Sequence, residues 1–305
     1  MHEHLTEFHG LPVHEVDEGD TPAPAAEVAW RIGEHLDDGY FPEIFQRFLD
    51  EVDCDRVRAV VIGSWGWAYE DDRADVPIRL LSEAAPRLPA LEAIFLGDYI
   101  SEESEISWIG QDDITPLLTA YPRLKRLDVR GGEGLVLRPV THAALETLRF
   151  ETGGLPASVV RAVGESTLPA LRHLELWLGE ENYGGDSGPE DWAAILAGEG
   201  LPALRHLGLQ DSERQDEVAA AVAGAPIVPR LESLDLSMGN MGDEGAEALL
   251  SGQPLTHLRR LNLRHHFMSE KMTARIVEAL AGVEVDVSDR QDDEEDGWRY
   301  IEVSE

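Results

Sequence analysis

Leu231-Glu232-Ser233-Leu234-Asp235-Leu236-Ser237-Met238-Gly239-Asn240-Met241-Gly242-Asp243-Glu244-Gly245-Ala246-Glu247-Ala248-Leu249-Leu250 carries two periodicities in succession. Leu234 and Leu236 stand two apart, the spacing of a strand whose alternate side chains share a face. Ala246, Leu249 and Leu250 then fall on one helical stripe, and Asp243 and Glu244 sit where a helix dipole favours acid. Strand followed by helix is one structural unit, and the unit recurs. The phrase Leu-x-x-Leu-x-Leu begins at Val57, Leu91, Leu124, Leu145, Leu171, Leu204, Leu231 and Leu258, at intervals of 21 to 34 residues. A degenerate last copy runs from Leu280 through Val283 to Val285.

Strands this short cannot bury an apolar face alone. Stacking successive copies buries a continuous aliphatic ladder, which is how repeat proteins gain stability. Each fully buried Leu or Ile contributes roughly 1.5–3 kcal/mol, so contacts between neighbouring copies should dominate. Helical spacing returns at Ser269 to Leu280, where Met272, Ile276 and Leu280 align behind a Ser269 suited to a helix start. Pro189, within Ser187-Gly188-Pro189-Glu190-Asp191, suits a first helical turn. Gly131-Gly132-Glu133-Gly134-Leu135-Val136-Leu137-Arg138-Pro139 has no helical stripe and should cross between strands as extended chain.

The expected fold class is α/β: a solenoid of about 8–9 repeats, with a curved parallel β-sheet on the concave side and mostly helices on the convex side. The segment from Asn240 to Leu249 resembles the repeat of the ribonuclease-inhibitor type of leucine-rich-repeat protein. The mean interval from Val57 to Leu280, about 28 residues, matches that class. The other copies keep the strand half and vary the rest. The opening Leu5-Thr6-Glu7-Phe8-His9-Gly10-Leu11-Pro12-Val13 and the acidic end resemble a family of uncharacterised bacterial leucine-rich-repeat proteins. The resemblance implies protein binding without catalysis, as an inhibitor, scaffold or assembly factor. Ribonuclease inhibitors are cysteine-rich and this chain has a single cysteine, so their target is not carried over. GTPase-activating leucine-rich proteins also bear acidic tails, which makes regulation of a nucleotide hydrolase the alternative. A hydrolytic enzyme is the third reading.

The expected organisation is an N-terminal cap over 1–56, repeats over 57–288 and an acidic tail over 289–305. The cap should hold an extended Ala29-Trp30-Arg31-Ile32 and a helix near Pro42–Val52, with Ile44, Phe45, Phe48 and Leu49 at helical spacing. The block from Asp289 to Gly297 reads as a solvated, mobile charge run. Beyond it, Trp298, Tyr300, Ile301 and Val303 alternate with polar residues, and a disordered run is expected over an edge strand or a docked segment.

Net charge is −35, from 60 acidic against 25 basic residues. Phosphate neutralisation needs a basic footprint, so nucleic acid is disfavoured, and an anionic membrane surface equally so. A basic protein is the electrostatic complement, and such a field speeds association by roughly 10- to 1000-fold. Solubility and salt adaptation explain the same charge. Cys54 is the only cysteine, which rules out an intrachain disulfide framework. No signal-peptide core or run of about 18 apolar residues occurs, so the cytoplasm and a monomer are the default expectations.

The non-leucine strand positions should face the concave side in three columns. The first is Ala59, Ala93, Arg126, Thr147, His173, His206, Ser233 and Arg260. The second is Val61, Phe95, Asp128, Arg149, Glu175, Gly208, Asp235 and Asn262. The third is Gly63, Gly97, Arg130, Glu151, Trp177, Gln210, Ser237 and Arg264. Three partner-contact zones follow: Phe95 with Trp65, Trp67 and Tyr99; Arg126, Arg130 and Arg149 beside Asp128, Glu151, Glu175 and Trp177; and Arg260, Arg264, His265 and His266. Asp235, His173 and His206 complete the candidate surface. Arg and Trp are favoured interface anchors, although salt bridges between neighbouring strands account for the same residues. The helix-less crossing at 131–139 is expected to position the Arg/Trp zone.

No phosphate-cradling loop, Gly-x-Ser-x-Gly elbow or Cys-x-x-Cys pair is present. His2, His4, His9, His14, His265 and His266 do not form a closed zinc set, so no metal or cofactor is expected. His173 and His206 share one column and, with Glu175, suit an acid/base or pH-sensitive pair, but polar contact residues are the simpler reading.

Overall fold

The computed structural model describes residues 3–15, 23–33, 40–66, 73–293 and 297–305. Among them, twelve strands form one open sheet in strict chain order. The strands are β1 (Glu7–Phe8), β2 (Leu11–Glu15), β3 (Ala29–Ile32), β4 (Ala59–Ile62), β5 (Ala93–Leu96), β6 (Arg126–Arg130), β7 (Thr147–Glu151), β8 (His173–Gly179), β9 (His206–Ser212), β10 (Ser233–Asp235), β11 (Arg260–Asn262) and β12 (Glu284–Asp286). All pairings from β2 onward are parallel, and β1–β2 alone is antiparallel.

Eight α-helices connect the strands of the described residues: α1 (Phe41–Glu51), α2 (Asp75–Ala84), α3 (Thr115–Ala120), α4 (Ala157–Glu165), α5 (Pro189–Ala197), α6 (Gln215–Ala223), α7 (Asp243–Ser251) and α8 (Glu270–Ala279). Expected local signals act as read. Pro189 opens α5, and the Ser269 side chain accepts from the Met272 N–H at the start of α8. Between β6 and β7 no helix forms. The crossing chain instead bridges its neighbours at Gly110–Glu133, Asp113–Val136 and Thr141–Thr167. The result is an α/β arrangement compatible with a solenoid.

One strand face is continuous with the helices. Val60, Ile62, Ile94, Leu96, Leu127, Leu148, Leu174, Leu207, Leu234 and Leu261 share a single core with Phe45, Leu81, Leu117, Val160, Ile195, Val218, Leu249 and Ile276. The intervening strand residues lie on the opposite face, in the expected registers. Ala59, Ala93, Arg126, Thr147, His173, His206, Ser233 and Arg260 are successive partners, as are Val61, Phe95, Asp128, Arg149, Glu175, Gly208, Asp235 and Asn262.

The N-terminal region carries the expected extended Ala29–Ile32 and the helix near Pro42–Val52, and the C-terminal end departs from the reading of the sequence. Ala29–Ile32 pairs directly with β4, and β2 extends the same sheet further. The β1–β2 hairpin turns through His9 and Gly10, both at positive φ (53° and 71°), which a tight hairpin requires and glycine permits. At the other end, 297–305 lies against earlier strands in place of the expected disordered run. The Val303 N–H donates to Asp211 (3.0 Å), and the Glu302 N–H to the Met238 carbonyl (2.8 Å). No helix among the described residues is long and apolar enough to cross a membrane.

Candidate functional site

The face opposite the helices changes character along the sheet. At β3–β5 it is apolar: Ala29, Ala59, Val61, Ala93 and Phe95 form a second buried cluster with Phe8, flanked by Leu5, Leu11 and Val13. The N-terminal hairpin lies over this floor. Phe8 meets Phe95 edge to face at 5.7 Å, and the Arg126 guanidinium caps Phe8 at 4.8 Å. Asp98, fully buried, ties the arm down through the Leu5 N–H (3.3 Å) and holds Arg31 (3.5 Å) and Arg130 (3.6 Å).

At β6–β8 the floor becomes ionic. Arg130 donates to Glu151 (2.8 Å) and to the Tyr99 carbonyl (2.9 Å). Arg126 grips Asp128 through two nitrogens, at 2.9 and 2.7 Å. Arg149 spans Glu151 (2.8 Å), Asp128 (3.7 Å) and the Glu175 Oε2. Burial alone would lower the Arg149 guanidinium, but Glu151, Glu175 and Asp128 outweigh it and raise its pKa. Burial would raise the Glu175 carboxyl, yet His173, His206 and Arg149 together hold it well below the usual carboxylate range.

Glu175 is also where two histidines converge. His173 Nε2 lies 2.8 Å from Glu175 Oε1, and His206 Nε2 lies 3.3 Å from the same oxygen. The rings stack in parallel, 4.0 Å apart and 9° from coplanar, because adjacent parallel strands place both in one column. His206 Nδ1 meets Ser233 Oγ at 2.7 Å. Beside them opens a cavity of about 390 Å³ lined by His173, Glu175, His206, Ser233, Leu234, Asp235, Arg260 and Asn262. Gly208 lies between Glu175 and Asp235 in the register. A Cβ there would come within 3.0 Å of Glu175 Cγ.

Of the fourteen residues singled out from sequence, eight reach solvent: Arg126, Arg149, His173, Glu175, His206, Asp235, Arg260 and Arg264. The other six are corrected: Trp65, Phe95, Asp128, Arg130, Glu151 and Trp177 are buried. Phe95 lies under the hairpin, and Trp65 packs against Tyr99 at 5.0 Å. Asp128, Arg130 and Glu151 are consumed in ion pairs. Trp177 is covered by Val303 together with Ile106 and Met238. Within the Arg/Trp zone, Asp128, Arg130, Glu151 and Trp177 therefore support the floor, while Arg126, Arg149 and Glu175 keep partial exposure. Trp67 and His2 lie outside the described residues. Arg260 and Arg264 do not stand free: Arg260 faces Glu284 (3.8 Å) and Asp286 (3.9 Å), and Arg264 meets Asp289 (3.1 Å) and Glu302.

Sequence reasoning missed Asp98 and Asp211, both fully buried. Asp211 follows the third column and adopts φ 55°. Burial drives its carboxyl well above the ordinary carboxylate range, with Glu302 and Glu180 pushing the same way. Neither residue has a periodic signal, since each acts through a chain end distant in sequence.

No protein-family model matches the chain, and no curated protein matches it. Among solved structures, a crystal structure of a Bacteroides fragilis protein, determined as a structural-genomics target, superposes with a TM-score of 0.82 at 30% sequence identity. The match covers 92% of this chain and 78% of that one. The chain belongs to the same family as that Bacteroides protein.

Proposed function

We propose that this member of that family is a non-catalytic protein-binding module, a leucine-rich-repeat solenoid of the ribonuclease-inhibitor-like type. Its 57–288 repeats present the open C-terminal half of the concave face to a basic partner in the cytoplasm. The observation that carries the reading is the contrast in cover. The hairpin seals the floor at β3–β5, whereas His173, Glu175, His206, Asp235 and Arg260 border an open cavity. Each arginine of this floor already faces carboxylates, so the uncompensated charge is acidic and favours a cationic partner. A net charge of −35 supplies the long-range steering.

The test compares tagged protein with an Asp235→Arg plus Glu175→Gln variant in pull-downs from native cytosol at low and moderate salt. Capture of a basic protein that weakens with salt and disappears with the variant supports the reading. An identical captured set from both proteins would sink it.

A further inference from the structure

We infer that His173, Glu175 and His206 form a binding site for a divalent transition-metal ion, with zinc(II) the best-matched occupant. The inference stands independently of the protein-binding reading, because metal uptake is measured with no partner present.

Three ligand-type side chains from adjacent strands offer donor atoms that all lie within 4.8 Å of one another. Donors around a tetrahedral zinc ion, each about 2.0–2.1 Å from it, stand roughly 3.3 Å apart. Of the observed Nε2–Oε1 separations, 3.3 Å for His206 matches that spacing and 2.8 Å for His173 falls short of it. Directing both Nε2 lone pairs to one ion requires the two imidazoles to turn about their Cβ–Cγ bonds out of the observed stack. Two neutral imidazoles and one carboxylate are a donor set suited to zinc, and the set leaves a coordination position open.

The surroundings hold these donors as outer-shell groups hold metal ligands. Arg149 occupies Glu175 Oε2 and leaves Oε1 to face the histidines. Ser233 Oγ engages His206 Nδ1, which directs Nε2 inward. That Nε2 is shut off from solvent and makes no hydrogen bond, although it lies 3.3 Å from a carboxylate oxygen. A ring nitrogen and a carboxylate oxygen at this distance repel unless a cation, proton or metal, lies between them.

Charge points the same way. The ion pairs running to this point join four arginines (31, 126, 130 and 149) with five carboxylates (15, 98, 128, 151 and 175). Glu175 ends this series with Arg149 on one carboxylate oxygen and the two histidines facing the other. The cavity beside the three side chains gives room for water or an incoming donor to complete the shell.

The experiment titrates the full chain, stripped of metal, with Zn²⁺ by calorimetry and with Co²⁺ by visible absorption, at a fixed excess of Mg²⁺. Uptake of one Zn²⁺ and visible Co²⁺ bands of low-coordinate type are expected. Both should weaken by at least about tenfold in Glu175→Gln and in His206→Gln, on the scale of altered metal shells. In the wild-type protein, long-range ¹H–¹⁵N spectra should show the Nε2 signals of His173 and His206 moving on Zn²⁺ addition, a readout that needs no variant. The inference is overturned by any of four results. These are no Zn²⁺ uptake, uptake unchanged in both variants, uptake displaced by Mg²⁺ as on a diffuse acidic surface, and unmoved Nε2 signals while zinc binds elsewhere.

Discussion

The two ends of the helix-free face have the same strand geometry and opposite fates. At β3–β5 the outward columns are Ala, Val and Phe, apart from a buried Arg31 paired with Asp98, and a hairpin folds back to cover them. At β8–β11 the same columns carry His, Glu, Asp and Arg and border an open cavity. Apolar surface in water is unfavourable by about 25 cal/mol per Å², so the first floor recruits the nearest chain end as a cover. Polar groups keep their solvation and need none. A parallel ladder thus specifies where side chains stand, and their chemistry specifies whether the site is sealed or available.

Substitutions at the two ends should therefore separate stability from binding. Arg130→Ala, which takes one of two arginine partners from each of buried Glu151 and Asp98, should have the largest effect, about 3–5 kcal/mol in urea unfolding. A loss under about 1 kcal/mol would mean the ionic floor is well solvated. Phe8→Ala opens the sealed end and should cost about 3 kcal/mol, with the hairpin becoming sensitive to limited proteolysis. An uncleaved hairpin would show that the cover holds without its aromatic contact.

Asp211→Ala removes the acceptor for Val303 and should cost on the order of 1 kcal/mol and release 297–305 to proteolysis. Asp211→Asn keeps an acceptor, tolerates the left-handed backbone and removes an acid whose folded pKa is raised. With that sign, wild-type stability falls as pH rises from the ordinary carboxylate pKa toward the raised one. The Asn variant should lack this fall, and parallel profiles would refute the assignment.

Glu92, in contact with Lys125, Arg58 and His9 at the sealed end, has the opposite sign. The Lys125 hydrogen bond, against burial and with help from Arg58, holds its pKa at about 2 instead of 4.5. Its contribution is complete above pH 4.5 and is lost as pH falls toward 2, so melting curves of Glu92→Gln and wild type should converge over that window. Arg260→Ala, at the open end, should change stability least, by less than about 0.5 kcal/mol, while altering partner capture. A large destabilisation there would erase the distinction between the two ends.

Legibility followed the range of the interactions. The strand columns, α1, α5, α7, α8 and the helix-less crossing between β6 and β7 could be read because each depends on residues a few positions apart. The convergence of His173, Glu175 and His206 was half legible. The shared column was visible, but the common oxygen and the cavity beside it were not. Of the six expected contact residues that proved buried, Phe95 and Trp177 are covered from far away in the chain, by Phe8 and Val303, while Asp128, Arg130 and Glu151 are held in ion pairs across the sheet.

Period-two and helical spacing, read along the chain, were enough to establish a strand–helix ladder and its outward columns, because backbone geometry repeats locally. Which columns face solvent was settled by the folding back of both chain ends, through Asp98 in one case and Asp211 in the other. Those contacts join residues more than ninety positions apart, and no local periodicity encodes such a meeting.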